Sequence, residues 1–137
     1  MLVAVLMLED NPGDQVLADI AYSKLKSPQM EVELQMASTS QQARQIVTEK
    51  VPDLLFVDLH LEGSDMTGLE FIQWFRQNIN TTTPLVAISS SKAPDDIRQA
   101  YACGSNSYLN KPTGFTELMA TLEIAVMYWG GLNVRVA

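Results

Sequence analysis

Five polar side chains each stand at or just after the end of a short apolar run in this 137-residue chain, and they are Glu9, Asp10, Asp58, Ser89 and Lys111. Carboxylates that crowd together raise the pKa of at least one of them, because like charges oppose one another's ionisation. A hard divalent cation relieves that cost, and Mg²⁺ prefers oxygen ligands of this kind. A carboxylate left free beside such a cation can attack a phosphoryl group, which is the chemistry of an aspartyl phosphate.

Asp58 is the candidate nucleophile of this set. It ends the apolar run 53–58, which presents its side chain rigidly, whereas the two acids after the first run are neighbours and one must lie off the axis of a shared site. Ser89 and Lys111 supply the neutral and cationic donors that phosphoryl oxygens need. A single acid at a strand end is often only a helix N-cap. Five such positions on one predicted edge favour a shared site instead.

Five segments of the chain have the composition of buried strands. Each is followed by a stretch in which apolar residues return at the helical spacing of three and four. This alternation predicts an α/β protein with a central, mostly parallel five-stranded sheet and helices on both faces. Ligands of such a sheet bind beyond the carboxyl ends of the strands, where the five side chains fall. The predicted strands are residues 1–8, 31–36, 53–58, 84–89 and 107–109.

Composition and charge exclude several classes of protein. The 16 Asp and Glu residues outnumber the 9 Lys and Arg residues and leave a net charge of -7, so an interaction with nucleic acid is not expected. The one cysteine, Cys103, excludes a disulfide scaffold and fits a reducing cytoplasm. The apolar run 1–8 is too short to span a membrane, and no basic residue precedes it. We therefore expect a cytoplasmic domain with no membrane contact.

Six short segments together carry a specific pattern, and they are residues 8–11, 55–59, 68–71, 88–91, 103–105 and 108–112. With these segments the chain resembles the receiver domain of two-component response regulators from Val3 to about Tyr128. The likeness is to single-domain, chemotaxis-regulator-like members, and more weakly to the regulators that pair with cyanobacterial phytochromes. It implies a doubly wound five-stranded parallel sheet in the flavodoxin-like order 2-1-3-4-5, with a receiver domain at 1–128 and a C-terminal tail at 129–137.

The resemblance also implies a function for the polar set. A sensor histidine kinase or a phosphotransfer protein donates a phosphoryl group to Asp58 in a Mg²⁺-dependent reaction. Glu9, Asp10, Asp58 and the backbone carbonyl of His60 are the implied metal ligands. Ser89 is implied to hydrogen-bond the phosphoryl group and Lys111 to pair with it. The protein is then a phosphoacceptor switch that assists its own phosphotransfer and dephosphorylation, and not an enzyme that turns over a free substrate.

The implied switch pair is Ser89 and Tyr108. The hydroxyl moves towards the phosphoryl group, and the aromatic ring turns into the vacated space. This repacks the fourth helix, fifth strand and fifth helix, which a downstream protein target can read. A homodimer through the same surface and the tail is a further hypothesis. The family also implies a cis peptide bond between Lys111 and Pro112.

Two regions depart from the family pattern. The segment 61–68 is two residues longer than usual, and Glu62 stands where a proline is common. The imidazole of His60 beside it either shields the phosphoryl group or delivers water to it. In the tail, Gly130 and Gly131 are expected to stop the fifth helix. The alternation of Leu, Val and Val at 132, 134 and 136 indicates a short edge strand or an arm on a second subunit.

Three other interpretations compete with a phosphorylated receiver. A pseudo-receiver would keep the fold as a protein-interaction module without the chemistry, and the intact acid set argues against it. A flavodoxin-like cofactor carrier would need a phosphate-binding loop after the first strand, where Glu9 and Asp10 repel phosphate. A phosphatase of the haloacid dehalogenase type would place its nucleophile on the first strand, with a second Asp two residues later, but Asn11 and Pro12 follow here.

Overall fold

The computed structural model describes residues 1–27 and 29–136, and of residues 26 and 27 the backbone alone. One sheet of six strands runs through the described part of the chain, in the order β2-β3-β1-β4-β5-β6. The strands are β1 (Leu2–Leu8), β2 (Lys26–Ser27), β3 (Met30–Ala37), β4 (Leu54–Asp58), β5 (Leu85–Ser89) and β6 (Ser107–Asn110).

Five of these strands are parallel and correspond to the predicted sheet. Their order β3-β1-β4-β5-β6 confirms the expected order 2-1-3-4-5. The remaining strand, β2, pairs antiparallel with β3 through two residues at the sheet edge. Strand β2 was not predicted from sequence, because a two-residue strand has no detectable periodicity.

Five α-helices connect the strands, and a π-helix follows the last of them. They are α1 (Pro12–Ser23), α2 (Ser40–Glu49), α3 (Gly68–Asn78), α4 (Pro94–Cys103), α5 (Phe115–Val126) and the π-helix Met127–Leu132. Buried residues of α1 and α5 share one core cluster, whereas those of α2, α3 and α4 share another on the opposite face of the sheet. The helices therefore cover both faces, as predicted.

The central strand β4 shows why its sequence is apolar without alternation. Leu54 and Phe56 belong to the core under α1 and α5, whereas Leu55 and Val57 belong to the core under α2, α3 and α4. All four side chains are fully buried. A strand that is covered on both faces needs apolar residues at every position. The polar residue Asp58 therefore lies at the end of a strand that is buried on both faces.

The C-terminal segment differs from the prediction in two ways. The helical backbone does not stop at the two glycines but continues through them as the π-helix to Leu132. Gly130 packs against β1, since a Cβ there would lie 3.0 Å from Cγ1 of Val3. Close approach, rather than helix termination, therefore accounts for this glycine. Residues 133–136 form no strand, and Val134 is 94% exposed, so the edge strand, one of the two alternatives for the tail, is wrong. The arm on a second subunit stays a prediction.

No helix in the described ranges is both long enough and apolar enough to span a bilayer.

Candidate functional site

Three carboxylates meet where the neighbouring strands β1 and β4 end. Glu9 and Asp58 are buried and Asp10 is half-buried, and one ligand oxygen from each lies within 4.8 Å of the others. An all-oxygen donor set of this kind suits a hard cation such as Mg²⁺. The chemistry of the residues therefore fits the implied metal, with Glu9, Asp10 and Asp58 as the side chains that would hold it.

Lys111 brings its ammonium group into the same cluster. Its Nζ donates hydrogen bonds to Oε1 of Glu9 at 2.7 Å, to Oδ2 of Asp58 at 2.9 Å and to Oδ2 of Asp14 at 3.0 Å. These contacts use all three donors of the ammonium group. The structure therefore joins strand ends that are 53 residues apart in the chain, as the edge-of-sheet prediction requires. With Asp10 included, the cluster holds four carboxyl groups and one ammonium group, so its net charge is negative.

The electrostatics of the cluster favour a cation. Burial, and after it the hydrogen bond with Asp58, raises the pKa of Glu9 to about 8, although Lys111 opposes this shift. Burial would lower the pKa of Lys111, but its hydrogen bonds to Glu9 and Asp58, together with the charges of these carboxylates, outweigh burial and raise it. Lys111 therefore stays protonated at neutral pH, and Glu9 retains a proton that a metal ion can displace.

Backbone contacts fix the position of Asp58. Its Oδ1 accepts a hydrogen bond from the N–H of His60 at 2.9 Å, whereas the His60 side chain itself is exposed. The first residue of α3 packs directly on the strand end, because a Cβ at Gly68 would lie 2.4 Å from the carbonyl oxygen of Asp58. Only a glycine allows this approach. The helix and the strand end therefore hold each other in place.

Hydroxyl groups border the other side of the cluster, where β5 and β6 end. Ser89 is buried beside the end of β4, and its Oγ accepts a hydrogen bond from the N–H of Ser91 at 3.1 Å. The N–H of Lys111 donates to the carbonyl of Ser89 at 2.7 Å. Tyr108 is half-buried, and its hydroxyl donates to the carbonyl of Ser91 at 2.8 Å. Ser91 therefore contacts both members of the predicted switch pair.

Asp14 is a partner of Lys111 that was not predicted from sequence. Asp14 lies in the first turn of α1, where its N–H donates to the side chain of the N-cap residue Asn11 at 3.0 Å. An acid in a first helical turn is common because it interacts favourably with the helix dipole. The sequence signal was therefore present but not specific.

The chain also differs from expectation at the proline that follows Lys111. Peptide bonds in the described residues are all trans, so the predicted cis bond between Lys111 and Pro112 is wrong. The two isomers of a bond before proline differ by only about 0.5–1 kcal/mol. The residue types alone therefore do not decide which isomer forms.

Comparison with known proteins identifies related sequences. A family model described as "Response regulator receiver domain" matches residues 5–123. The probable methanogenesis regulatory protein FilR2 of Methanothrix harundinacea is 34% identical over 84 residues, which cover 61% of this chain and 53% of FilR2. The KDP operon transcriptional regulatory protein KdpE of Escherichia coli is 34% identical over 90 residues, which cover 66% of this chain and 38% of KdpE. The matched region is thus about half of one relative and less of the other.

Solved structures share the fold over the whole chain. The Mn²⁺-bound form of response regulator Rcp1 matches with a TM-score of 0.86 at 22% identity, covering 98% of this chain and 99% of that one. The phosphorylated cyanobacterial phytochrome response regulator RcpA matches with a TM-score of 0.87 at 21% identity and full coverage of both chains. At these identities the comparison establishes the architecture.

Proposed function

The chain belongs to the response regulator receiver domain family, a family of phosphoacceptor switches, and on that premise we propose that Asp58 accepts a phosphoryl group from a histidine kinase or a phosphotransfer protein. One observation carries the proposal. Lys111 Nζ lies 2.9 Å from Oδ2 of Asp58, within the same cluster as Glu9 and Asp10. A nucleophile, a cation and two further oxygen ligands thus surround one point, as phosphoryl transfer requires.

In the proposed reaction, a carboxylate oxygen of Asp58 attacks the phosphorus atom of a phosphohistidine. A P–O bond forms and the P–N bond breaks, and the departing histidine nitrogen keeps the electron pair and takes up a proton. Lys111 transfers its hydrogen bond from Asp58 to a phosphoryl oxygen, and the hydroxyl of Ser89 donates to another. The His60 carbonyl would join the three carboxylates as a metal ligand. Bound Mg²⁺ supplies positive charge that offsets the charge of the phosphoryl oxygens.

The proposed signal leaves the site through Ser89 and Tyr108. If the Ser89 hydroxyl turns to the phosphoryl group, it gives up its bond with the N–H of Ser91, whose carbonyl also holds the Tyr108 hydroxyl. A change at Ser91 therefore reaches the surface of α4, β6 and α5. The net charge of -7 favours a protein over a nucleic acid as the downstream target.

We also propose a homodimer across this surface of α4, β6 and α5. Ile124, Met127 and Tyr128 are between 48% and 67% exposed there. They lie at or next to a mainly apolar groove of about 310 Å³ that also includes Leu109 and Trp129. Sedimentation with and without a phosphoryl mimic tests the dimer, and a monomer under both conditions would remove it.

Incubation with acetyl phosphate and Mg²⁺, followed by intact mass measurement, tests the central proposal. The wild-type protein should gain about 80 Da, the mass of one phosphoryl group. Asp58→Asn should gain nothing, because the amide oxygen is a poor nucleophile. A wild-type protein without the gain, or an equal gain in the variant, would favour the pseudo-receiver, a module that binds proteins without phosphorylation.

A further inference from the structure

The loop 60–67 contacts the candidate metal site through a backbone amide. The N–H of Glu62 donates a hydrogen bond to Oδ2 of Asp10 at 2.8 Å. A carboxylate has room for this bond and for a metal ion, since each of its oxygens carries two lone pairs. Asp10 is more exposed than Glu9 and Asp58, the other two carboxylates of the candidate metal site. Its orientation therefore depends on a loop that comes from the other side of the site.

The turn that carries this amide has a defined shape. Glu62 and Gly63 are its central residues, and Gly63 has a φ of 70°. Among the residues that the structure describes, only Gly63 and Gly104 have a positive φ. A positive φ at the second central position is the mark of a type II turn, which accepts proline at the first. Position 62 therefore tolerates proline by backbone shape, but a proline there has no N–H to donate.

Three side chains fasten the far end of the same loop to α2, and we name Ser40, Arg44 and Asp65 the α2 clamp. Arg44 makes two hydrogen bonds to the carboxylate of Asp65, at 2.9 and 2.6 Å. Ser40, which is fully buried, donates to Oδ1 of Asp65 at 2.7 Å and accepts from the N–H of Met66 at 3.2 Å. Its own N–H donates to Oγ of Ser64 at 3.0 Å.

The negative charge of Asp65 is paired within this clamp. Hydrogen bonds from Arg44 and then from Ser40 lower the pKa of Asp65 to about 2, so the group is ionised at neutral pH. The carboxylate therefore acts on the site through the loop that it anchors, and its partner Arg44 offsets its charge.

We infer that the α2 clamp and the Glu62 amide are positioning groups for the metal site. The clamp fixes the loop 60–67, and the loop then holds the Asp10 carboxylate in the orientation that binds Mg²⁺. This inference rests on the proposed function for the identity of the metal. Hydrogen bonds to a ligating carboxylate fix its direction, and their loss typically lowers metal affinity by about 10- to 100-fold.

Two substitutions at one position isolate the amide. Glu62→Pro and Glu62→Ala both remove the carboxylate, but only the proline variant removes the N–H. Titration calorimetry with MgCl₂ on the unphosphorylated protein measures the affinity directly. We expect the Kd for Mg²⁺ to be about tenfold higher in Glu62→Pro than in Glu62→Ala. Equal Kd values in two folded variants would overturn the role of the amide.

Arg44→Gln tests the clamp, because its direct electrostatic effect on Mg²⁺ affinity is opposite in sign to the effect expected from loss of the clamp. Arg44→Gln removes a positive charge, which by Coulomb's law alone favours Mg²⁺ binding. The clamp instead predicts weaker binding, by about threefold or more. Arg98→Gln is the matched control, because Arg98 pairs with Asp95 on the exposed surface of α4. Binding by Arg44→Gln as tight as by Arg98→Gln would overturn the clamp.

These readouts separate the inference from the proposed function, because they need no phosphoryl transfer. If Glu62→Pro does not fold, Arg44→Gln alone decides. Normal phosphorylation of Asp58 with equal Mg²⁺ affinity in all variants would overturn the inference and leave the proposed function standing. A wild-type protein that binds no Mg²⁺ would overturn the inference and the metal assignment together. Variants that differ as expected, in a protein that acetyl phosphate leaves unmodified, would support the inference while the proposed function fails.

Discussion

The two halves of the candidate site are built from different kinds of bond. In the acidic half, at the ends of β1 and β4, one ammonium binds three carboxylates at 2.7–3.0 Å. In the hydroxyl half, at the ends of β5 and β6, Ser89 and Tyr108 each make a neutral hydrogen bond to the backbone of Ser91, at 3.1 and 2.8 Å. Both halves meet at Lys111, whose side chain serves the first and whose N–H serves the second.

The difference in bonding assigns different tasks to the two halves. Charge-assisted hydrogen bonds are roughly twice as strong as neutral ones, and a buried charge without a partner is costly. A neutral hydrogen bond contributes only about 1 kcal/mol, so the hydroxyl half can exchange partners at little cost. We therefore propose that the acidic half determines what binds and that the hydroxyl half reports the binding.

The largest loss of stability is expected from removing the ammonium group of Lys111, which contacts three carboxylates. Lys111→Met leaves Glu9 and Asp58 buried together without a counter-charge. Breaking one side of a buried charge cluster costs about 3 kcal/mol or more. Urea unfolding of the metal-free protein at pH 8 should show a loss of this size, and Mg²⁺ should restore part of it. Lys50→Met is the control, because Lys50 is exposed at the end of α2. A similar loss in both variants would contradict the assignment of the charge to the acidic half.

The next largest effect is expected in the pH dependence of stability and of Mg²⁺ affinity, which we assign to the acidic half alone. The folded protein holds the pKa of Glu9 at about 8, above its ordinary value of 4.5. A raised pKa in the folded state means that the metal-free protein loses stability as the pH rises from about 4.5 to about 8. Metal binding must displace the same proton, so Mg²⁺ affinity should rise by up to about tenfold per pH unit below about pH 8.

Calorimetric titrations with Mg²⁺ between pH 6 and pH 9 measure this dependence. The slope should flatten above about pH 8, where Glu9 is already ionised. In Glu9→Gln the affinity should be lower, and the slope over the same range should largely disappear. An unchanged slope in that variant would assign the proton to another group.

The smallest effect is expected in the hydroxyl half. Tyr108→Phe removes the hydroxyl that donates to the Ser91 carbonyl. Because this bond is neutral and half-buried, its loss should cost about 1 kcal/mol of unfolding free energy. The rate of phosphorylation by acetyl phosphate should stay within about twofold of wild type. Tyr101→Phe, at an exposed position of α4, is the control and should change neither quantity. A Tyr108→Phe protein that no longer accepts phosphate would erase the distinction between the halves.

The acidic half was largely predictable from sequence. Buried parallel strands must be apolar throughout, so the first polar residue after each run marks its carboxyl end. This rule placed Glu9 and Asp58 at one edge of the sheet, with Lys111 two residues after the last predicted strand, and the structure brings Lys111 into hydrogen-bonding contact with both acids. The sheet order followed from the family resemblance.

Features that depend on tertiary contacts were not predictable in the same way. Asp14 and the pair of Arg44 with Asp65 are ordinary surface residues in the sequence, and only the packing of their elements brings them to their partners. The π-helix runs through Gly130, which packs closely against Val3. Local propensity predicted a helix stop there, and tertiary context overrode it.

Chemical trapping of the phosphorylated residue identifies the phosphoacceptor side chain itself. The protein is incubated with acetyl phosphate and Mg²⁺ and reduced with borohydride, which converts an aspartyl phosphate to homoserine, and its peptides are sequenced by mass spectrometry. We expect homoserine at position 58 and no reduced side chain at the other acids of the cluster. Homoserine at position 10 or 14, or 5-hydroxynorvaline (the reduction product of a glutamyl phosphate) at position 9, with Asp58 recovered unchanged, would contradict the assignment of Asp58 as the phosphoacceptor.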